Sequence, residues 1–324
     1  MRLVFVLAGL IFAVLVFAAA CGDDDAGGDA APAESQKFFD CAEAFPGSAP
    51  DASAFPAEVT DGSGRSVAID AAPQAIASLS AGHTEILYAI GAGDAMTAVD
   101  NTSDCPAATS SLEHIDAFSP SVESIVALEA DVVVLFFDPG DLVQSLDDLG
   151  VTVLMMPSPS TIAGVYEQIE ILGDATGHAA EADALITSMR AAVVTITTDV
   201  EEFDAPTFFH EVDNTYYTAG PGSFIADLYG QLGAENIAES TGQAFPQMSA
   251  EAIIAADPQV IILADEDAGE SPETVAARPG WGVIAAVLDG RVHVVSPDII
   301  SRPGPRLVEA LETLAGYLYP ELPE

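Results

Sequence analysis

Two stretches of this chain, 128 positions apart in frame, follow one plan. Ser121-Val-Glu123-Ser-Ile-Val-Ala-Leu-Glu-Ala-Asp131 runs into Val-Val-Val-Leu135, and Ser249-Ala-Glu251-Ala-Ile-Ile-Ala-Ala-Asp-Pro-Gln259 runs into Val-Ile-Ile-Leu263. Each reads as a serine that caps a short helix, then four apolar residues with no polar alternation. Such a run fits a strand buried on both faces, which a parallel sheet covered by helices requires. The rest of the chain keeps the same grammar. Ala75–Leu79, Met96–Val99, Asp131–Phe137 and Val151–Met155 read as strands, separated by helical stretches at Thr84–Ile90, Val122–Leu128 and Leu142–Leu149. In the second half Thr207–Val212, Gln259–Leu263 and Val292–Val295 read as strands. Helices follow Gly222-Ser223, start at Ser249, span Gly282–Leu288, and close the chain at Leu307–Leu318. Strand and helix alternate, so the fold class expected is α/β: two Rossmann-like lobes with parallel sheets and a cleft between them.

Between the halves the pattern changes. Apolar residues recur every three or four positions at Ile162, Val165, Ile169 and Leu172, then at Leu185, Ile186, Met189 and Val193. The spacing predicts a long helix over 159–202, or two helices closely broken near Gly173 and Gly177. A 35-residue helix spans ~50 Å, longer than one lobe, so this segment is expected to bridge two. The domain reading is then 1–20 leader, 21–54 flexible tether, 55–158 first lobe, 159–202 bridging helix and 203–324 second lobe.

The leader has Arg2, then eighteen apolar or small residues from Leu3 to Ala20, ending in Ala18-Ala19-Ala20-Cys21. Small residues before a cut point suit a signal peptidase. The Ala-Ala-Cys ending resembles the lipobox of bacterial lipoproteins, in which the cysteine takes the lipid; Ala18 stands where that motif usually has Leu. Cys21 is therefore the lipidation candidate. An uncleaved anchor, at the lower length limit for a membrane span, and simple secretion are the other readings. All three put the body outside the cytoplasm. The next stretch, rich in Gly, Asp, Ala, Pro and Ser, buries too little apolar surface to fold and reads as a tether.

The formal charge is −43, from 51 acids against 8 bases, and Lys37 is the only lysine. Such a surface repels nucleic acid and anionic lipid, and suits a saline or acidic habitat. With Cys21 taken by lipid, Cys41 and Cys105 remain. In an oxidising compartment they are expected to form one disulfide, with two free buried thiols as the alternative. No CxxC or HxxxH spacing points to a metal, and no Gly-x-Ser-x-Gly elbow, HExxH helix or glycine-rich phosphate loop points to an enzyme.

Four stretches together resemble the periplasmic binding proteins of cobalamin and ferric-siderophore importers (class III, vitamin B12-binding-protein-like), in lipoprotein form. They are Pro73–Leu87 with Gly91-Ala-Gly-Asp94; the two Ser-x-Glu helices; Tyr217–Phe224 through Glu235–Ala238; and Arg278-Pro-Gly-Trp281 with Ser301-Arg-Pro-Gly-Pro-Arg306. The resemblance covers about residues 56–320. It implies a monomeric, non-enzymatic substrate-binding protein that delivers its solute to an ABC permease and ATPase, with no cofactor of its own. It also implies that Glu123 and Glu251, one per lobe, dock on arginine pockets of the permease. A carboxylate at a helix start also suits the helix dipole, which is the plain structural alternative for both.

The ligand is expected at the carboxyl ends of the strands. Aromatic candidates are Phe118, Phe136 (with Phe137 pointing the other way), Tyr217, Phe245 and Trp281. Polar candidates are His83, Asn101, Thr102, Asp104, Asp298 and Arg302. Arg302 and Arg306 need a compensating partner, which is open between a buried acid such as Asp298 and an anionic ligand group. A flat corrin plate suits aromatic faces and few arginines, so a corrinoid ranks first. A ferric siderophore or haem is the alternative. A zinc or manganese receptor, using His83 and His210, is the third.

Overall fold

The computed structural model describes residues 39–42 and 45–322. The leader, Cys21 and Lys37 lie outside them. A short antiparallel hairpin opens the body: β1 (Ala57–Thr60) pairs with β2 (Ser66–Ile69). Lobe one then lays down β3 (Ile76–Leu79), α1 (Ala81–Ala89), β4 (Met96–Asp100), β5 (Glu113–Ile115), α2 (Val122–Ala127), β6 (Val132–Leu135), α3 (Leu142–Asp147) and β7 (Thr152–Met155). All five strands pair in parallel, in the order β5-β4-β3-β6-β7.

Two helices follow, α4 (Ile162–Thr176) and α5 (Ala179–Val200). Lobe two contains β8 (Thr207–Glu211), α6 (Phe224–Gln231), β9 (Glu235–Asn236), α7 (Ala250–Ala256), β10 (Val260–Leu263), α8 (Pro272–Ala276), α9 (Ala285–Leu288), β11 (Val292–Val294), α10 (Pro297–Ile300) and α11 (Leu307–Leu318). Its parallel sheet runs β11-β10-β8-β9. No helix among the described residues is long and apolar enough to cross a membrane.

The period of two along the strands divides the cores. Ile76, Val132, Val134 and Leu154 of lobe one, with Phe208, Val260 and Ile262 of lobe two, belong to one continuous core shared with α1, α4, α5, α6 and α11. Ala77, Leu79, Val133, Leu135 and Val153 face the other way, under α2 and α3. Phe209, Ile261 and Leu263 likewise face a separate outer core that holds Ile253, Val275 and Trp281.

Of the two readings of 159–202, one continuous helix gives way to the closely broken pair. The chain turns at Gly177, whose φ of +76° is open to glycine, and the His178 amide closes the end of α4 on the Gly173 carbonyl at 2.8 Å. The two helices fold back on each other: the Arg190 guanidinium of α5 lies 4.9 Å from the Tyr166 ring centre on α4. The link into lobe two is therefore α5 alone, about 33 Å long at 1.5 Å per residue. The flexible tether expected over 21–54 is also corrected for the described part. Cys41 is bonded to Cys105, and buried Phe39 stacks on Phe45 with ring centres 4.1 Å apart. The Ser48 amide donates to the Gly91 carbonyl and the Asp51 amide to that of Gly177. The disulfide and the Ser48 bond fasten this segment to lobe one, and the Asp51 bond fastens it to the end of α4.

Candidate functional site

In lobe one the direction of the crossover connections reverses between β3 and β6, and in lobe two between β8 and β10. At such a reversal the loops diverge and leave a crevice outside the carboxyl ends of the strands. Phe136 emerges at the first crevice. Glu211 and the residues after Leu263 emerge at the second. The carboxyl edges of the two sheets meet: Arg302, after β11, donates to Asp104, after β4, at 2.6 Å.

Each lobe presents aromatic surface at this edge. Phe118 is 68% exposed and stands against Phe136 and Phe137, with ring centres at 5.9 and 5.6 Å. In lobe two, residues 216–220 run antiparallel to 244–248, through Thr218 to Pro246 at 3.0 Å and Gly220 to Ala244 at 2.8 Å. This ribbon carries Tyr217, 40% exposed, and Phe245, 52% exposed. Large exposed apolar rings on both lobes are what a flat apolar ligand requires.

Other expected contacts are placed elsewhere. Trp281 is 0% exposed in the outer core of lobe two, capped by the Arg278 guanidinium 4.7 Å from its ring centre. It is a packing residue, because Phe209 and Tyr216 leave its ring no open face. His83 lies on the inner side of α1, where its Nε2 donates to Gln168 Oε1 on α4 at 3.0 Å. Burial pushes its pKa down to about 4, so it is neutral. His210 is buried against the Tyr229 hydroxyl at 2.9 Å, and burial lowers its pKa to about 3. Both histidines are core groups, and no cluster of three His, Cys, Asp or Glu among the described residues is placed to hold a metal ion. Thr102, by contrast, stays at the carboxyl edge, exposed in the loop after β4 beside Asp104, and its hydroxyl donates to Asp100 at 2.5 Å.

The partner of the arginines is an acid. Arg302 donates to Asp298 at 2.5 Å as well as to Asp104. Arg306 clasps Glu85 in two hydrogen bonds, Nε to Oε2 at 3.0 Å and Nη2 to Oε1 at 2.6 Å. Burial raises the Glu85 pKa, and Arg306 and then Arg302 oppose that rise. Sequence reasoning missed Glu85. Its signal was the one acid in α1, buried between Thr84 and Ile86 in an otherwise uncharged stretch. The seam is tight, since a Cβ at Gly82 would lie 2.6 Å from the Pro303 carbonyl oxygen. Lobe two has a second cluster. Arg278 forks onto Glu211 at 2.6 and 2.5 Å and reaches Glu270 at 2.7 Å.

Glu123 and Glu251 occupy matching places, exposed in the first turns of α2 and α7, behind the capping serines Ser121 and Ser249. The Ser121 hydroxyl donates to Glu123 at 3.0 Å. A backbone amide and that hydroxyl hold the Glu123 carboxyl below its usual range.

The chain is 33% identical over 82% of its length, and 87% of the relative's, to the uncharacterized ABC transporter substrate-binding lipoprotein YvrC of Bacillus subtilis. It is 29% identical to a cobalamin-binding protein of Halobacterium salinarum, over 82% of this chain and 74% of that one. A crystal structure of a possible iron-binding, periplasmic solute-binding protein from Staphylococcus epidermidis superposes with a TM-score of 0.69 at 28% identity, covering 76% of this chain and 99% of that one. The family model described as periplasmic binding protein matches residues 76–299, and with two lobes meeting at the carboxyl edges of their sheets, the chain belongs to the periplasmic binding protein family.

Proposed function

We propose that this chain is the lipid-anchored solute receptor of an ABC importer, and that its solute is a corrinoid held between the aromatic surfaces of the two lobes. The observation that carries the corrinoid reading is electrostatic. Exposed Phe118, Tyr217 and Phe245 stand at an edge where every arginine is already engaged. Arg278, Arg302 and Arg306 are bound to carboxylates. Elsewhere in the described residues Arg65 pairs with Asp147, Arg291 reaches the Tyr317 and Leu318 carbonyls, and Arg190 covers Tyr166. An anionic ferric catecholate or a haem with two propionates would have to displace an acid to gain a cation. A neutral ring rimmed with amides would not. Similarity to the Halobacterium cobalamin-binding protein supports the same reading. A ferric chelate is the second reading, favoured by similarity to the possible iron-binding protein.

Glu123 and Glu251 are the proposed contacts to the permease. One exposed carboxylate per lobe offers a directional acceptor for arginine forks and senses the spacing of the lobes. The lipid on Cys21 would hold the receptor near its permease and raise its local concentration there. The decisive experiment is calorimetric titration of the tether-free body with cyanocobalamin, haem and ferric hydroxamate. Heat with cyanocobalamin alone is the expected result; heat only with haem or the ferric chelate would reject the corrinoid. Replacing Glu123 and Glu251 by Ala together should abolish uptake in cells and leave solute affinity unchanged, and lost affinity would reject the docking role.

A further inference from the structure

The first described residues join the body at the edge that carries the cleft. Cys41 is bonded to Cys105, in the loop that leaves the carboxyl end of β4. The Ala107 amide donates to the Cys41 carbonyl at 2.8 Å, and Phe39 is buried in the core shared by the lobes. Asp104, next to Cys105 in the same loop, accepts from Arg302 of lobe two at 2.6 Å. The chain then runs the length of β4 and is fastened again at the opposite edge. The Ser48 amide donates to the Gly91 carbonyl at 3.0 Å, in the turn that precedes β4. The Ser48 carbonyl accepts from His178 Nε2 at 3.1 Å, and the Ser48 hydroxyl donates to Glu181 at 3.1 Å. β4 has five residues, so the two fastenings stand ~16 Å apart along it.

The edges differ in what else they carry. Glu123 and Glu251 lie in the first turns of helices that start at the carboxyl edges and lead back to β6 and β10. Exposed Phe118, Tyr217 and Phe245 stand at the same edges. Cys41 is therefore fastened on the side of the cleft and the glutamates, and Ser48 on the far side. With 51 acids against 8 bases, the protein surface offers an anionic membrane no attraction that could orient the body, so orientation falls to the point where the anchored chain enters. We propose that the Cys41–Cys105 disulfide is an orienting device: it fixes that entry at the carboxyl edge, so that the cleft, Glu123 and Glu251 face the membrane that holds the permease. Without the bond, one backbone hydrogen bond and one buried ring hold the chain there. The first firm fastening is then Ser48, seven residues later and on the far side. This rests on the proposed lipid at Cys21 and the proposed docking by Glu123 and Glu251, and it is independent of which solute the receptor binds.

The first test keeps the disulfide. The full lipidated chain is placed on liposomes that carry an acceptor dye in the headgroup layer. A donor dye is attached at Ser119→Cys, exposed at the carboxyl edge before α2, or at Leu149→Cys, exposed at the amino edge between α3 and β7. Energy transfer from position 119 should exceed that from 149 at least about twofold. Equal or stronger transfer from 149 overturns the orientation, and transfer from neither overturns the anchor and the orientation together. The second test removes the bond with Cys41→Ser and Cys105→Ser together. Uptake of cyanocobalamin by cells with limiting receptor should fall at least about twofold, because the effective concentration of correctly turned receptor falls. Affinity of the solubilised full chain for cyanocobalamin should stay within about twofold of the wild type. Unchanged uptake overturns the proposal, as does an affinity loss that matches the uptake loss, since the bond would then act on the solute site. The liposome measurement uses neither solute nor permease nor the disulfide variant, so it decides the orientation even where the corrinoid reading, the docking reading or the folding of the variant fails.

Discussion

The Glu85–Arg306 pair joins α1 of lobe one to the start of α11 in lobe two, and its removal one side at a time has a calculable consequence. The two side chains are 0% and 8% exposed, and two hydrogen bonds of 3.0 and 2.6 Å join them. Removing one partner of such a pair strands the other in low dielectric and costs ~3–5 kcal/mol. Glu85→Met should fall at the lower end, since Arg306 keeps the Asp298 carbonyl at 3.3 Å and Arg302 keeps Asp104 and Asp298. Arg306→Met leaves Glu85 only Arg302 at 3.6 Å. Glu85 can escape by taking a proton, so the cost of Arg306→Met should shrink as the pH falls. For a body of this size, ~2–4 °C per kcal/mol converts the losses to roughly 6–20 °C in Tm. The double variant replaces the pair by two apolar side chains of similar reach and should recover to within ~1 kcal/mol of the wild type. Urea unfolding of the tether-free body, followed by circular dichroism, measures all four corners of the cycle. Single losses below about 1 kcal/mol, or a double variant that equals the sum of the singles, would refute the assignment of this pair as a desolvated link between lobes.

Acid should loosen the fold through two histidines. His83 and His210 are held neutral with pKa values of about 4 and about 3, while an unfolded histidine titrates near 6.5. The unfolded chain therefore binds more protons in that window. The stability these groups contribute is complete above about pH 6.5 and is lost as the pH falls toward about 3, by roughly 3–5 kcal/mol each. Urea midpoints at about pH 7 and pH 5 should differ less in His83→Gln than in the wild type; an unchanged difference would place the acid sensitivity elsewhere. Exposed and buried aromatics should also separate. Phe118→Ala should weaken cyanocobalamin binding about tenfold with Tm nearly unchanged, whereas Trp281→Ala should cost ~3–5 kcal/mol of stability. Calorimetric titration and thermal scans of both variants check the pair, and a large Tm loss in Phe118→Ala would show that its ring is structural.

Much of the architecture was legible before any coordinates. The VVVL and VIIL runs are buried in both directions, as a parallel sheet with helices on each face asks of its strands. The serines before Glu123 and Glu251 cap their helices as read, because that bond is made within three residues of chain. The break between α4 and α5 was half legible. Gly177 marks a point where the helix can end, but whether it ends there depends on what receives the next helix, and α5 is received by α4 and α11.

The site divides the same way. Phe118, Tyr217 and Phe245 were named as aromatic candidates and stand exposed at the sheet edges, while Trp281, named with them, is core. Residue type and loop position are properties of the chain, so they list candidates. Which face of a ring meets solvent is settled by elements from elsewhere, here Arg278, Phe209 and Tyr216 closing over the indole. The same holds for charge. Sequence showed how scarce the arginines are and that Arg306, at a helix start, needs an acid or an anion. Only the tertiary structure chose Glu85, 221 positions away, over Asp298 nearby. Local pattern is set by hydrogen bonds and side-chain period over a few residues, and so it is written in the chain. The pairing of buried charges is set by which surfaces the two lobes bring together, and so it is decided only when they meet.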